Sequence, residues 1–386
     1  MSTLNVNTIN AATSGQAVAV DVQNPRSNRR INENGACVIA QRGTSSTSTE
    51  YQTVDRWRST FSQVSVTTTQ HALTDADTGP WEKGFRYSYH LENTSTSSAT
   101  NAWTEFGTRI EAQNICNSGW VHSSTSSYIT YSFWAKSSLA GTYYTWLRSK
   151  DSTNKVYASS FVLVANTWKK VSFTVPGAAN VFIDNNNGVG LNVNISPYWG
   201  TDYTDSGTGT GSWVTFVSGT RLPDYAQNWC NTANATFEAT GLQLEAGSYA
   251  TDFEHRSYGD ELARCMRYFI QYDRASSADD GQTPVICNVV AGSSDDCFGA
   301  MHLPVPMRAA PTIGYSDADH FQLTRVFSSS STVGGSISIA YNTFKPHQTM
   351  YIRTASSPDP SFSGGDTFTL RFINAAFGKL TFSSEL

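Results

Sequence analysis

The chain is poor in charged residues. Asp, Glu, Lys and Arg make up only 15% of its 386 residues, and the formal net charge is -5. Such a composition does not predict a nucleic-acid-binding surface. No apolar run approaches the roughly 18 residues that a membrane helix needs, and residues 1–10 have neither the basic start nor the apolar core of a secretory leader. We therefore expect neither membrane insertion nor secretion.

Catalytic and metal-binding motifs are missing as well. There is no G-x-S-x-G, H-E-x-x-H or P-loop pattern, and the seven histidines are dispersed. Glycan hydrolysis needs two carboxylates at a set separation, and no Asp or Glu lies in a recognisable catalytic motif. The six cysteines lack CxxC spacing, and a reducing cytoplasm would keep even Cys287 and Cys297 free. The sequence predicts a protein that is not an enzyme and requires no cofactor.

Ser, Thr, Asn, Gly and aromatic residues fill much of the remainder, with 20 Phe, 18 Tyr, 10 Trp and 28 Gly. Thr and the aromatics favour strands, while Gly and Asn supply turns, so this profile predicts an all-β protein. The same aromatics would suit a surface that binds sugars, although a β-sandwich core accounts for them equally well.

Residues 1–30 form a first segment. Leu4, Val6 and Ile9 are separated by polar residues, and Ser14-Gly15 precedes a second apolar run, which predicts a β-hairpin. One hairpin alone is marginal in water, so we expect an arm that docks on another protein or intertwines with its copies. The pattern resembles the N-terminal starts of cyanophage fibre proteins, which implies attachment to a phage tail.

Residues 31–257 read as one β-sandwich. The predicted strands are Ala36–Gln41, Val54–Phe61, Phe85–Leu91, Thr104–Ile110, Tyr128–Lys136, Tyr143–Arg148, Phe161–Val164, Lys169–Val175, Gly190–Ile195 and Phe237–Leu244. The blocks Tyr131–Ser137 and Asn166–Pro176, with the closing Gln243–Gly247, resemble the jelly rolls of carbohydrate-binding modules in phage fibres. The resemblance implies a jelly-roll fold.

The stretch Gly241–Phe269 predicts a strand end, an extended link and a short amphipathic helix, which we assign to residues 258–275. Residues 276–386 again alternate apolar and polar side chains and predict a C-terminal β-sandwich-like domain. Together with the proline-containing link Arg308–Thr312, this stretch resembles the junction between a jelly roll and a C-terminal β domain in tailed-phage virion proteins.

Candidate sugar-binding residues follow from strand alternation. Tyr144, Trp146 and Arg148 share one side of their strand, and Trp134 lies on the polar side of the strand before it. We expect the two polar sides to form one concave surface, extended by the loop residues Trp199 and Trp213. Indole rings stack on sugars while polar groups bond hydroxyls. The alternative is that these aromatics pack under loops or against a neighbouring subunit.

Two acidic loops are candidate calcium sites. Asp75 and Asp77 lie in one loop and Asp184 in the other, and carboxylate oxygens are the ligands that Ca²⁺ prefers. Jelly-roll carbohydrate modules often hold a structural calcium. The same residue types also make turns without any ion.

Together, these resemblances imply a virion protein of a cyanophage-like tailed phage, assembled in the host cytoplasm. The resemblance implies a homotrimeric tail fibre or fibre-like appendage that binds the tail by its N-terminus and host-surface polysaccharide by its jelly roll. The alternative is a capsid decoration or neck protein that uses the jelly roll for contacts with other virion proteins. A secreted glycan-degrading enzyme would need the leader and the catalytic domain that the sequence does not predict.

Overall fold

The computed structural model describes residues 28–273, 285–292, 296–316, 321–325, 332–334, 338–344, 347–355, 363–372 and 378–386. Their regular structure is almost all antiparallel β, which confirms the predicted fold class. Helical segments in these ranges are short: Ala112–Cys116 (α1), Tyr258–Met266 (α2) and a 3₁₀ turn at Trp81–Lys83. The predicted N-terminal hairpin lies, up to residue 27, outside the described residues.

The first part of the chain is a sandwich of two six-stranded sheets. Its strands are Ser45–Ser46 (β1), Arg58–Ser62 (β2), Val66–Ala72 (β3), Tyr87–Asn93 (β4), Trp103–Glu111 (β5), Tyr128–Ser137 (β6), Gly141–Ser149 (β7), Lys155–Leu163 (β8), Lys169–Pro176 (β9), Val189–Trp199 (β10), Trp213–Thr215 (β11) and Thr236–Ala246 (β12). Sheet A has the order β1-β3-β4-β12-β6-β9, and sheet B has the order β11-β8-β7-β10-β5-β2. Strands close in sequence thus often belong to opposite sheets.

The core between sheets A and B is aromatic. Tyr89 of sheet A stacks on Phe106 of sheet B with ring centroids 5.1 Å apart, and Phe133 meets Phe161 edge-on at 5.4 Å. These four rings are buried, as is Trp57. Each large apolar side chain that leaves water contributes about 1.5–3 kcal/mol, so this layer holds the sandwich together.

The C-terminal part forms two further antiparallel sheets. Its strands are Phe269–Asp273 (β13), Val285–Ala291 (β14), Asp296–His302 (β15), Thr312–Tyr315 (β16), Phe321–Arg325 (β17), Thr332–Gly334 (β18), Ser338–Phe344 (β19), Thr349–Ala355 (β20), Thr367–Phe372 (β21) and Lys379–Ser383 (β22). Sheet C has the order β13-β22-β16, and sheet D has the order β18-β17-β21-β14-β15-β20-β19. A second core that includes Met301, Phe321, Leu370 and Phe382 packs between them. Cys287 lies on β14 and Cys297 on the neighbouring strand β15.

Helix α2 is shorter than the predicted 258–275 segment. The Ser257 hydroxyl accepts a hydrogen bond from the backbone N–H of Asp260 at 3.2 Å and caps the helix. The helix ends at Met266 because the next residues alternate in the strand pattern and pair with β22. The predicted linking helix is therefore a helix followed directly by the first strand of sheet C.

The predicted strand Val54–Phe61 begins only at Arg58, and the predicted Phe161–Val164 overlaps the end of a strand that begins at Lys155.

Further sequence predictions differ locally. Ala36–Gln41 is not a strand, because the Asn34 side chain bonds both the N–H and the C=O of Ile39 and bends the chain, with Cys37 at a φ of 57°. Strand β3 was not predicted, since its sequence VTTTQHA contains few apolar residues. Its threonines pair against β4 all the same.

Buried charges join the sandwich to the C-terminal part. Arg56 is 0% exposed. Its guanidinium forms a salt bridge with Glu385, lies 3.4 Å from a carboxylate oxygen of Glu33 and stacks 3.4 Å from the ring centroid of Tyr268. Because Glu385 follows the last strand, this arginine ties sheet C to the sandwich.

Two more ion pairs lie beside this arginine. Arg30 forms a salt bridge with Glu261 of α2, and both side chains are buried. The buried Glu111 at the end of β5 accepts two hydrogen bonds from Arg267, at 2.8 and 2.9 Å. We call the set Arg30, Glu33, Arg56, Glu111, Glu261, Arg267, Tyr268 and Glu385 the joint. Every arginine of the joint has a carboxylate partner.

Candidate functional site

The outer side of sheet B carries polar residues in register across neighbouring strands, and we call it the sheet B face. Asn192 of β10 lies opposite Arg109 of β5 on one flank and Arg148 of β7 on the other. Asn192 is only 8% exposed, and its Oδ1 atom is buried without a hydrogen-bond partner in the described part of the chain. Such an oxygen is costly unless a ligand or water satisfies it.

The next row of the sheet B face has Asn194 at its centre. It lies opposite Gly107 of β5 and Trp146 of β7, and Gly107 in turn pairs with Arg58 of β2. A Cβ on Gly107 would clash with the Asn194 Oδ1 atom. The glycine therefore leaves the space that the asparagine side chain occupies.

The third row contains a carboxylate. Glu105 of β5 is buried, and its oxygens lie 3.4 Å from the Thr60 hydroxyl and 3.5 Å from the Ser196 hydroxyl. Burial raises the pKa of Glu105, and the nearby positive charges of Arg58 and Arg221 act in the opposite direction. The row offers both hydrogen-bond donors and acceptors, as a polyhydroxylated ligand requires.

Residues 200–229 cover the aromatic end of this face. Trp146 and Trp199 each donate an indole hydrogen bond to the Ser196 hydroxyl, at 3.0 and 3.1 Å. Tyr144 bonds the main-chain oxygen of Asp224, and Leu222 packs in the same cluster. These three predicted aromatics are therefore buried under a loop, as the alternative interpretation expected, and a sugar could stack on them only if the loop moved.

Trp103 is an aromatic of this face that the sequence analysis did not predict. Its ring stacks on Trp199 with centroids 4.5 Å apart and planes 5° from parallel, and it stays half-buried while Trp199 is buried. Asn192 and Asn194 were missed too, although the alternation Leu191-Asn192-Val193-Asn194-Ile195 already indicates a strand with one polar side.

Cations lie between the asparagine rows and the covering loop. The Arg148 guanidinium lies 3.6 Å from the ring centroid of Phe216, and that of Arg221 lies 4.3 Å from Trp199. Burial and the charge of Arg221 lower the pKa of Arg148. Burial, Arg148 and Arg109 together lower the pKa of Lys150. These groups are close enough to repel one another.

Trp134 and Trp213 do not join this face. Strand β6 belongs to sheet A and β7 to sheet B, so the polar sides of these strands point away from each other and do not form one surface. Trp134 packs against Gly79 on the outer side of sheet A. Trp213, on the edge strand β11, donates to the main-chain oxygen of Pro176 at 2.7 Å. Alternation predicts on which side of its strand a residue lies, but it does not predict which sheet the strand joins.

Some carboxylate oxygens of the two acidic loops already accept hydrogen bonds from other side chains. Asp77 accepts hydrogen bonds from Lys136 at 3.0 Å and from the Trp168 indole at 2.9 Å, whereas Asp75 is exposed. Asp184 lies 3.5 Å from the Asn186 amide. Across the described ranges, no group of three or more His, Cys, Asp or Glu side chains could hold a metal ion. Calcium at Asp75, Asp77 or Asp184 stays a prediction.

No helix in the described residues is long and apolar enough to span a membrane.

No protein-family model matches this chain, and no curated protein matches it. Among solved structures, the chain is similar to the enzymatically active domain of tailspike protein 4 of bacteriophage CBA120, at 11% identity and a TM-score of 0.30. That match covers 57% of this chain and 22% of the other, so the chain spans about a fifth of the tailspike domain's length.

Two carbohydrate-binding structures are also similar. One is a CBM4 module, at 12% identity and a TM-score of 0.29, covering 56% of this chain and 99% of the module. The other is the CBM22-1-CBM22-2 tandem domain of Paenibacillus barcinonensis Xyn10C, at 11% identity and a TM-score of 0.26, covering 85% of this chain and 93% of that one. At such TM-scores, none of these likenesses carries an argument.

Proposed function

We propose that this chain is a non-enzymatic glycan-binding protein of a phage virion, a tail fibre or fibre-like appendage whose sheet B face binds host-surface polysaccharide. The observation that supports it most is the buried Asn192 Oδ1 atom without a partner in the described residues, between Arg109 and Arg148 on an ordered sheet. Rigid strands position such groups more accurately than loops do.

The chemistry of the face suits sugar hydroxyls. Asn192 and Asn194 present amide groups, Glu105 an acceptor and the arginines donors, so one ring could give and receive hydrogen bonds at once. The half-buried Trp103 lies beyond the Glu105 row and supplies an apolar surface for sugar C–H groups. Tyr144, Trp146 and Trp199 support the face from beneath the loop.

The virion role rests on sequence. The blocks Tyr131–Ser137 and Gly241–Phe269 and the link Arg308–Thr312 resemble phage virion proteins and follow one another in the order found there. In this proposal residues 1–30 attach the protein to the tail. A homotrimer would present three weak sites together, which raises the avidity for a repeating polysaccharide.

Binding to purified host-surface polysaccharide tests the site. The full chain should bind in isothermal titration, and Asn192→Ala or Trp103→Ala should each weaken binding about tenfold, the effect of losing a hydrogen bond or a stacking contact worth about 1–1.5 kcal/mol. Asn231→Ala and Trp81→Ala are matched controls, because both residues lie away from the sheet B face. Undiminished binding by both face variants would contradict the proposed site.

Immunogold labelling of particles tests the placement. Label on the tail, with a trimer in sedimentation equilibrium, is the expected result. Label on the head would instead favour the decoration or neck protein, in which the sandwich contacts other virion proteins. Release of reducing sugars from the polysaccharide would contradict the non-enzymatic role.

A further inference from the structure

The sheet B face concentrates positive charge in a chain whose net charge is -5. Arg109, Arg148, Lys150 and Arg221 all lie on this face or on the loop that covers it. In the described ranges none of the four forms a salt bridge with a carboxylate side chain. The joint, by contrast, pairs each of its arginines.

Arg148, Lys150 and Arg221 lie close to one another. The Phe216 ring lies between two guanidiniums, with the Arg148 carbon at 3.6 Å and the Arg221 carbon at 5.4 Å from its centroid. Lys150 follows Arg148 by two residues and so points to the same side of the chain. Like charges held this close repel one another, and an anion between them would remove that repulsion.

Glu105 is the nearby carboxylate whose charge acts on Arg148 and Arg221, and one carboxylate cannot balance three cations. Glu105 bonds Thr60 and Ser196, and its burial disfavours the ionised form. The Arg58 guanidinium is bonded by Glu50, at 2.7 and 2.8 Å. Arg109 donates to the main-chain oxygen of Leu386. Arg148, Lys150 and Arg221 therefore keep charge for a ligand.

We propose that the sheet B face takes an acidic glycan. A negatively charged substituent of the sugar, a uronate carboxylate or a sulfate ester, binds between Arg148, Lys150 and Arg221. A hydroxyl of the same or the adjacent sugar donates to Asn192 Oδ1. The proposal rests on the glycan-binding function above and names the class of glycan.

Two buried polar atoms without hydrogen-bond partners in the described residues fit this placement of the glycan. The Nε of Arg148 is a buried donor, and Asn192 Oδ1 is a buried acceptor; neither has a partner among the described residues. The two residues lie opposite each other on neighbouring strands. A neutral sugar would satisfy the acceptor, but an anion is the stronger partner for the guanidinium, whose planar fork matches a carboxylate.

The test compares matched polysaccharides on the full chain. Polygalacturonate should bind at least about tenfold more tightly than the same polymer after its carboxyls are reduced to alcohols, and affinity should fall as NaCl increases. Dextran sulfate against dextran forms the second pair. Preference in the first pair identifies the carboxylate, and preference in the second identifies the sulfate ester.

Charge-removing variants locate the anion. Arg148→Gln, Lys150→Gln and Arg221→Gln should each lower affinity for the acidic polymer by a clearly larger factor than affinity for its reduced form. Lys83→Gln is the matched control, since Lys83 is exposed and lies next to β4 of sheet A. Unchanged circular dichroism spectra and melting temperatures show that each variant is folded.

Three outcomes would overturn the inference. Equal binding of acidic and neutral polymers would mean that the face does not discriminate glycans by charge. The inference would then be wrong, while the proposed glycan-binding function would still hold. Equal binding of the acidic polymers and duplex DNA means an unspecific polyanion surface. No binding to any glycan, host polysaccharide included, removes both the inference and the function on which it rests.

Discussion

The joint and the sheet B face both have several arginines in or near the protein interior, but these arginines differ in their partners. In the joint, Arg30, Arg56 and Arg267 each bind a carboxylate, and the first two are fully buried. On the face, Arg148 and Arg221 stay half-buried against aromatic rings and bind no carboxylate side chain in the described part of the chain.

The physical reason is the cost of desolvation. A charge that loses its water needs a partner within the protein, since an isolated ion in a low-dielectric interior costs several kcal/mol. A half-exposed guanidinium keeps part of its hydration and can stack on an aromatic ring for about 0.5–1 kcal/mol. Paired charge therefore indicates a structural role here, whereas the unpaired charge of the face is what the proposed binding of an acidic glycan requires.

Breaking the joint should have the largest effect on stability. Arg56→Met leaves the buried Glu33 without its cation and removes one of the two arginines that bind Glu385, the other being Arg42, so the free energy of unfolding should fall by about 3–5 kcal/mol. Urea unfolding at neutral pH measures it. The matched control is Arg58→Met, because the partner of Arg58, Glu50, is half exposed and such pairs contribute less than about 1 kcal/mol.

Equal losses in the two variants would mean that the joint is no more structural than a surface pair. The double variant Arg56→Met/Glu33→Gln adds a second check, because Arg56 is the ion-pair partner of Glu33 in the described residues. Removing the stranded carboxylate should restore part of the lost stability, since the penalty comes from unpaired charge.

Asp77 is a second test of paired charge. It binds Lys136 of sheet A, and its loss should lower the stability less than the loss of Arg56 does. Burial opposes ionisation, but hydrogen bonds from the Trp168 indole, the Thr74 N–H and Lys136 outweigh it and lower the pKa of Asp77 to about 2 from the ordinary 3.8. Because the folded pKa is the lower one, the ionised carboxylate stabilises the fold above about pH 4, and this contribution is lost as the pH falls towards 2.

Asp77→Asn should therefore lower the melting temperature at pH 7, and the difference from the native chain should shrink between pH 4 and pH 2. Thermal denaturation followed by circular dichroism measures both. Asp75→Asn, in the same loop but exposed, is the control and should leave the melting temperature nearly unchanged. If the difference in melting temperature stayed constant between pH 4 and pH 2, the ionised Asp77 carboxylate would not be the source of the stabilisation.

Local alternation predicted most of the sandwich strands because a two-residue period is set within each strand. In β6, Ile129, Tyr131 and Phe133 face the core as the pattern indicated. Strand β5, Trp103–Glu111, contains the predicted Thr104–Ile110 and is one residue longer at each end. The helix boundary was less accurate, since only the pairing of β13 with β22 shows where α2 has to end.

The candidate site could be predicted only in part, because it depends on contacts distant in sequence. Alternation grouped Tyr144, Trp146 and Arg148 correctly along one strand. It could not show that β6 enters the opposite sheet, which separates Trp134 from them, or that residues 200–229 fold over the indoles. The joint was equally hidden, since Arg56 and Glu385 are more than 300 residues apart.

The smallest expected effect on stability is at the face itself. Arg148→Gln removes a guanidinium that has a stacking contact with Phe216 but no carboxylate partner in the described residues, and it also relieves repulsion from Arg221. We therefore expect the free energy of unfolding in urea to change by less than about 1 kcal/mol. A loss as large as that of Arg56→Met would mean that Arg148 is structural. A small change in the free energy of unfolding, together with the expected loss of affinity for acidic glycan, would show that Arg148 serves binding whereas Arg56 serves stability.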